Sequence, residues 1–204
     1  YFKDLTEVLI CKCKETGYRF YWPQRIIGDE LFYEKLSSIE DYTRSWSFDH
    51  QFAFEKVADN DTVLDIGCGN GDFLQRLKKG KTVNLKGLEL NSFMVKKCKE
   101  KGLDVSNESI TVHRVLNKNK YDVICALQVL EHAYNIKDFL KDILYLLKPG
   151  GKIIFSTPNN EPYYMNYGKY ETLNLPPHHM GLWNKESYKG LAGYFGLQIK
   201  EFSY

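Results

Sequence analysis

The residues that most restrict how this chain can fold run from Thr62 to Glu89. An apolar run, Thr62 to Ile66, leads directly into Gly67-Cys68-Gly69-Asn70-Gly71, and a helix-forming stretch starts at Asp72. Glycine is needed where the backbone takes positive φ, or where a ligand approaches the main chain with no Cβ in the way. Strand, tight turn and helix start, in that order, present free N–H groups at the carboxyl end of the strand. The spacing is G-x-G-x-G, and Asp72 stands where the dinucleotide pattern G-x-G-x-x-G has its third glycine. A carboxylate there opposes a pyrophosphate, so the turn suits a cofactor with an amino-acid end and no phosphate. Glu89 closes the next strand about 20 residues on, the distance at which a carboxylate accepts hydrogen bonds from two ribose hydroxyls.

Around this turn strands and helices alternate, the pattern of an α/β fold with a mostly parallel sheet and helices on both faces. The predicted strands are 62–66, 83–89, 103–106, 121–127, 152–157 and 197–202. Those at 121–127 and 152–157 are nearly continuous apolar runs, as in strands buried on both faces. Between them Ile136, Phe139, Leu140, Ile143, Leu144 and Leu147 keep the rhythm of one buried helical face. Asn135 caps that helix, and Lys148-Pro149-Gly150-Gly151 ends it. Further helices are predicted over 49–57 and over 185–194, the latter between Asn184 and Gly196. Residues 1–60 read as an irregular, aromatic cap segment ahead of a domain over 61–204.

A chain of 204 residues can bury one substantial core. A net charge of +2, with lysines interspersed among acids, gives no footprint for nucleic acid. No apolar run reaches the ~20 residues of a membrane span, and no secretory leader is visible. Five cysteines, an odd number, predict reduced thiols and a cytoplasmic setting. Cys11-Lys12-Cys13 lacks a second pair and reads as ordinary thiols rather than a zinc site. The start at Tyr1 rather than Met predicts residues upstream.

Asp65-Ile66-Gly67-Cys68-Gly69-Asn70-Gly71, Tyr121-Asp122-Val123-Ile124, Val129-Leu130-Glu131-His132 and Leu147-Lys148-Pro149-Gly150-Gly151 resemble successive motifs of the class I methyltransferases. Thr157-Pro158-Asn159 and Pro176-Pro177-His178-His179 are similar to a bacterial subgroup that includes ubiquinone-type and sugar or surface-polysaccharide methyltransferases. The resemblance implies a Rossmann-like sheet of seven strands, with S-adenosylmethionine across the carboxyl ends of the first, second and fourth. It places the methionine end at Asp65, Gly67 and Gly69, the ribose at Glu89, and the adenine beside Leu90 and Asn107. Gln128 falls below the sulfonium, and Tyr33, Tyr42 and Trp46 lie in the stretch that folds over the cofactor. Two departures stand out. Ubiquinone-type relatives carry Glu-x-x-Glu-His where this chain begins with Gln128, so no metal is expected. The chain also stops near 204, where the fold adds a final antiparallel strand.

Methyl transfer from a sulfonium is an in-line displacement that needs alignment and, for an alcohol acceptor, removal of a proton. Histidine titrates near neutral pH. His178 and His179, after two prolines, are the candidate bases, with His132 a third. The loop 159–181 carries Tyr163, Tyr164, Tyr167 and Tyr170, rings that suit a sugar. The expected activity is O-methylation of a small molecule, a sugar or surface-glycan precursor. A catalytically inactive scaffold of the same fold is the alternative, and an NAD-dependent oxidoreductase is disfavoured by Asp72.

Overall fold

A computed structural model describes residues 1–37, 46–161 and 174–204. By proximity the chain forms two units, one of Tyr1–Gly28, Leu130–Tyr134 and Thr157–Tyr204, the other of Asp29–Val129 and Asn135–Ser156. The segment 1–60 is shared between them. Among the described residues no helix is long and apolar enough to cross a membrane.

The larger unit carries the parallel sheet, built from β3 (Thr62–Ile66), β4 (Asn84–Leu88), β5 (Val105–Ser106), β6 (Tyr121–Leu127) and β7 (Leu147–Ser156). Their order is β5-β4-β3-β6-β7, every neighbouring pair parallel. The order reverses beside β3, and in such sheets ligands bind outside the carboxyl ends at that switch point. Tyr121, Val123, Ile124, Cys125 and Ala126 are fully buried, so β6 is covered on both faces. Val63, Val123, Cys125, Leu127 and Ile154 meet Ala53 from α2 (Phe48–Lys56), Val57 just beyond its end, and Phe73 and Leu77 from α3 (Asp72–Gly80). Cys68 and Leu74 pack with Val95 and Cys98 of α4 (Ser92–Glu100). The helix α6 (Ile136–Leu146) buries Ile136, Leu140, Ile143 and Leu146, and Asn135 caps it by accepting from the Asp138 N–H. Two shorter helices, α1 (Glu30–Ser37) and α5 (Ile110–His113), belong to the same unit. The predicted α/β alternation thus holds, but among the described residues this sheet has five strands rather than the seven that the resemblance implies, and β7 takes in Lys148-Pro149-Gly150-Gly151 rather than starting at 152.

In the smaller unit the amino-terminal residues are less irregular than their sequence implies. β1 (Leu9–Lys12) and β2 (Arg19–Trp22) form an antiparallel hairpin, and β8 (Gly181–Leu182) adds to β2, with Phe20 opposite Gly181. Tyr21, Ile26, Met180 and Leu182 make its core. Strands this short carry little periodicity, and β2 finds its second neighbour far along the chain. α7 (Lys185–Phe195) starts on a capping box in which Asn184 and Ser187 bond each other's backbone N–H at 2.8 and 2.9 Å. It ends at Gly196, at φ 66°. A Cβ at Gly190 would lie 2.1 Å from the Thr16 carbonyl oxygen, so glycine lets α7 touch the hairpin turn.

The strand predicted over 197–202 does not form. Its alternation specifies two faces but supplies no partner, and a strand is held by its ladder. Phe202 packs edge-on to Tyr188 of α7 instead, with ring centroids 6.4 Å apart.

Candidate functional site

In the larger unit, β3 ends at Ile66 and the chain turns through three left-handed glycines, Gly67 (φ 69°), Gly69 (53°) and Gly71 (79°). They serve different ends. A Cβ on Gly67 would come within 2.7 Å of Val129, and one on Gly71 within 2.5 Å of Leu103. One on Gly69 would meet nothing within 4 Å. Gly67 and Gly71 therefore answer to packing, and Gly69 is the glycine that faces open space. The N–H groups of Gly67 and Cys68 both donate to the Leu88 carbonyl, at 2.8 and 3.1 Å, which seats the turn on the end of β4.

Glu89 fastens the turn. One carboxylate oxygen accepts from the Gly69 N–H at 2.9 Å, the other from the Asn91 N–H at 2.8 Å. A carboxylate has about four lone-pair sites, so each oxygen keeps capacity for a hydroxyl. Asn107 donates to the carbonyls of Glu89 and Leu90, at 2.9 and 2.8 Å, and the Leu90 side chain is exposed. Asp65 is buried below the turn. Burial, with a smaller push from Glu89 and against the pull of His50, raises its carboxyl to about 7.

Asp72 is less repulsive to an anion than its position in the sequence implies. Lys101 pairs with it at 2.9 Å and also donates to the Asn70 carbonyl. The electrostatic argument against a pyrophosphate is weakened accordingly.

Gln128 ends β6 in the left-handed region, at φ 56°, and its amide nitrogen lies 3.1 Å from the Ser156 hydroxyl. That hydroxyl donates to Asp49 at 2.7 Å. Burial opposes ionisation of Asp49, but hydrogen bonds from His50, Ser47 and Ser156 prevail and hold it well below the usual carboxylate range. Of the group of Asp49, His50, Ser156 and Gln128, the sequence singles out Gln128 alone; the others meet it only through the fold. Trp46 stacks on His50 at 5.6 Å and carries the Arg76 guanidinium 4.1 Å over its ring. It lines an open cavity of about 540 Å³ with Gln51, Phe54, Asp72 and Arg76, whose lining holds none of the turn glycines. His113 is spent on structure, bonded to Tyr121 at 2.6 Å and Glu108 at 2.8 Å.

In the smaller unit His132, His178 and His179 come together. The ring centroids of His178 and His179 are 4.3 Å apart and stacked; His132 lies 4.7 and 4.9 Å from them. The Met180 N–H donates to the Glu131 carbonyl at 2.7 Å and ties the two stretches together. Burial first, then the two neighbouring imidazoles, push His179 down to about 3. The sequence offers it as a base near neutral pH; in the fold it stays unprotonated and is a weak base, because a cation there would be desolvated among like groups. Tyr33 lies edge-on to Phe32. Tyr42, Tyr163, Tyr164, Tyr167 and Tyr170 lie outside the described residues.

Residues 39–201 match the family model described as Methyltransferase domain. The ubiquinone biosynthesis O-methyltransferase of Serratia proteamaculans is 30% identical over 104 residues, 48% of this chain and 43% of that relative. The match therefore spans less than half the relative's length. Among solved structures, a SAM dependent methyltransferase from Archaeoglobus fulgidus has a TM-score of 0.59 at 21% identity, over 85% of this chain and 71% of that one. A cyclopropane synthase from Mycobacterium tuberculosis has a TM-score of 0.63 at 18% identity, over 80% of this chain and 65% of that one. At such identities the likeness is one of fold, and the two names differ in reaction, so fold does not choose the chemistry.

Proposed function

This chain belongs to the methyltransferase-domain family, and from that premise we propose that it binds S-adenosylmethionine on the turn from Asp65 to Gly71 and transfers its methyl group to an oxygen of a small molecule. The observation that carries this reading is the pairing of Gly69 with Glu89. A glycine facing open space lies against a carboxylate that is oriented by two backbone N–H groups and has lone pairs to spare. In the proposal Glu89 receives the ribose hydroxyls and Gly67 and Gly69 admit the methionine end. Asp65 receives the ammonium, whose positive charge draws off the proton that burial favours. Leu90 and Asn107 border the adenine, while Gln128 and Trp46 complete the cofactor's surroundings. The protein's part in the transfer is alignment, since the sulfonium already carries its leaving group.

The name of the Serratia relative supports oxygen as the acceptor atom. Within that class a sugar or surface-glycan precursor is the first acceptor to test, on the strength of Pro176-Pro177-His178-His179 and the tyrosine-rich loop. An intermediate of ubiquinone biosynthesis is the second, on the strength of the relative's name. Where an alcohol proton must be removed, the proposal gives that role to His178 or His132 rather than to His179. The seated turn speaks against an inactive scaffold.

Calorimetry with S-adenosylmethionine and with NAD tests the reading. Binding of the first and not the second is expected. Glu89→Ala removes the charged acceptor proposed for the ribose hydroxyls, a bond of about 1.5–3 kcal/mol, and should weaken binding roughly 10- to 100-fold. Wild-type affinity in Glu89→Ala, or no binding by the wild type, refutes the assignment.

A further inference from the structure

We propose that His132, His178 and His179 form a binding site for one divalent transition-metal cation of the zinc type, held by three imidazole nitrogens with a fourth position open. One ring nitrogen from each lies within 4.8 Å of the others. His178 and His179 are buried and His132 is half-buried, so the rings converge inside the fold. Tetrahedral bonds of 2.0–2.1 Å require nitrogens roughly 3.3 Å apart, so a bound ion would draw the three rings closer together. Imidazole suits zinc, copper, nickel and iron, whereas magnesium and calcium prefer oxygen.

The hydrogen bonds around the cluster decide which nitrogens carry lone pairs. The Pro158 carbonyl can only accept, so the group 3.1 Å from it is the Asn160 amide nitrogen. The Asn160 oxygen then accepts from the Asn174 nitrogen at 2.7 Å, which turns the Asn174 oxygen toward His179 Nδ1 at 3.1 Å. His179 Nδ1 must therefore donate, and its Nε2 bears the lone pair. Arg19 and the Asn160 N–H fix this relay further, bonding the Asn160 carbonyl at 2.7 Å and the Trp183 carbonyl at 2.6 Å. His132 Nδ1 lies 2.8 Å from the His178 carbonyl, which also only accepts, so its Nε2 is likewise the basic nitrogen. Outer N–H groups bonded to carbonyl oxygens, with the opposite nitrogens left basic, are the arrangement that orients metal-ligating histidines. A relay of two asparagines is more than packing two rings requires.

This site shares only His132 with the Glu-x-x-Glu-His pattern in which Gln128 replaces the first acid, and its other two ligands come from a distant stretch of chain. It uses no acid, and cofactor binding on the turn does not depend on it; a metal-bound His132 or His178 has no lone pair left for a proton, so an occupied site excludes the base role given to them above. Cys11 and Cys13 are the rival ligands for a soft cation in the same unit.

The test uses the full chain, stripped with a chelator and titrated with Co²⁺ and then Zn²⁺. One equivalent of Co²⁺ should bind with the visible spectrum of a four-coordinate nitrogen–oxygen site, without a sulfur charge-transfer band, and Zn²⁺ should displace it. A Cys11→Ser/Cys13→Ser variant should bind unchanged. His178→Gln and His179→Gln should each lose at least tenfold in affinity, and Asn174→Ala should lose roughly 10- to 100-fold by freeing the ring it orients. Three results overturn the proposal: no stoichiometric uptake by the folded wild type, a sulfur charge-transfer band that the cysteine variant abolishes, or unchanged uptake in a folded His178→Gln/His179→Gln variant. The wild-type spectrum decides by itself if the histidine variants fail to fold.

Discussion

Asp65→Asn probes the energetic tension at the turn. The Asp65 carboxyl rises from 3.8 to about 7 because burial disfavours its charge. The folded state therefore holds a proton that the unfolded chain releases, and stability falls as pH rises from about 4 to about 7. A rise of about three pKa units, at 1.36 kcal/mol each, amounts to about 4 kcal/mol of destabilisation once the group is fully ionised. Asparagine keeps the shape and carries no charge. The stability of the Asp65→Asn variant minus that of the wild type should be flat below pH 4, climb by about 1.4 kcal/mol per pH unit, and level off above pH 7. Urea unfolding followed by circular dichroism at several pH values between 4 and 8 measures it. Cofactor binding should move the other way. Wild-type affinity for S-adenosylmethionine should rise with pH toward 7 as the carboxylate forms, and the variant should bind weakly at every pH. A stability difference independent of pH refutes the burial argument. Wild-type affinity in the variant refutes the role given to Asp65.

Two substitutions of neighbouring glycines should separate packing from binding. Gly67→Ala forces a Cβ against Val129 at positive φ and should cost at least ~1–2 kcal/mol in urea unfolding. Gly69→Ala carries only the backbone strain, since nothing lies within 4 Å, and should instead abolish calorimetric binding of the cofactor. Equal effects of the two on both measurements would show that the distinction is empty. Asn184→Ala removes the capping box of α7 and should cost about 1 kcal/mol in the same unfolding experiment, without changing affinity for the cofactor.

Much of the sheet is legible in the sequence because its cues are local. The three glycines, the strand-end Glu89, the apolar run of β6 and the caps Asn135 and Asn184 each depend on residues within one or two turns of chain. The antiparallel sheet is hidden because β1 and β2 have four residues each and β8 two. The strand expected over 197–202 shows the converse: an alternating pattern marks two faces but does not by itself bring a ladder partner. Lys101 beside Asp72, and Ser156 beside Asp49, are long-range meetings that no spacing announces.

By itself, then, the sequence determined the α/β alternation, the glycine-rich turn and the kinds of residue that surround it, since propensity and periodicity act over short stretches. Tertiary structure decided what those residues are poised to do. It set Gly69 apart as the open glycine, bound Glu89 to the turn, and gathered three histidines from two stretches of chain. Burial, which is a property of the whole fold, raised Asp65 toward neutrality and took His179 out of the range of a base.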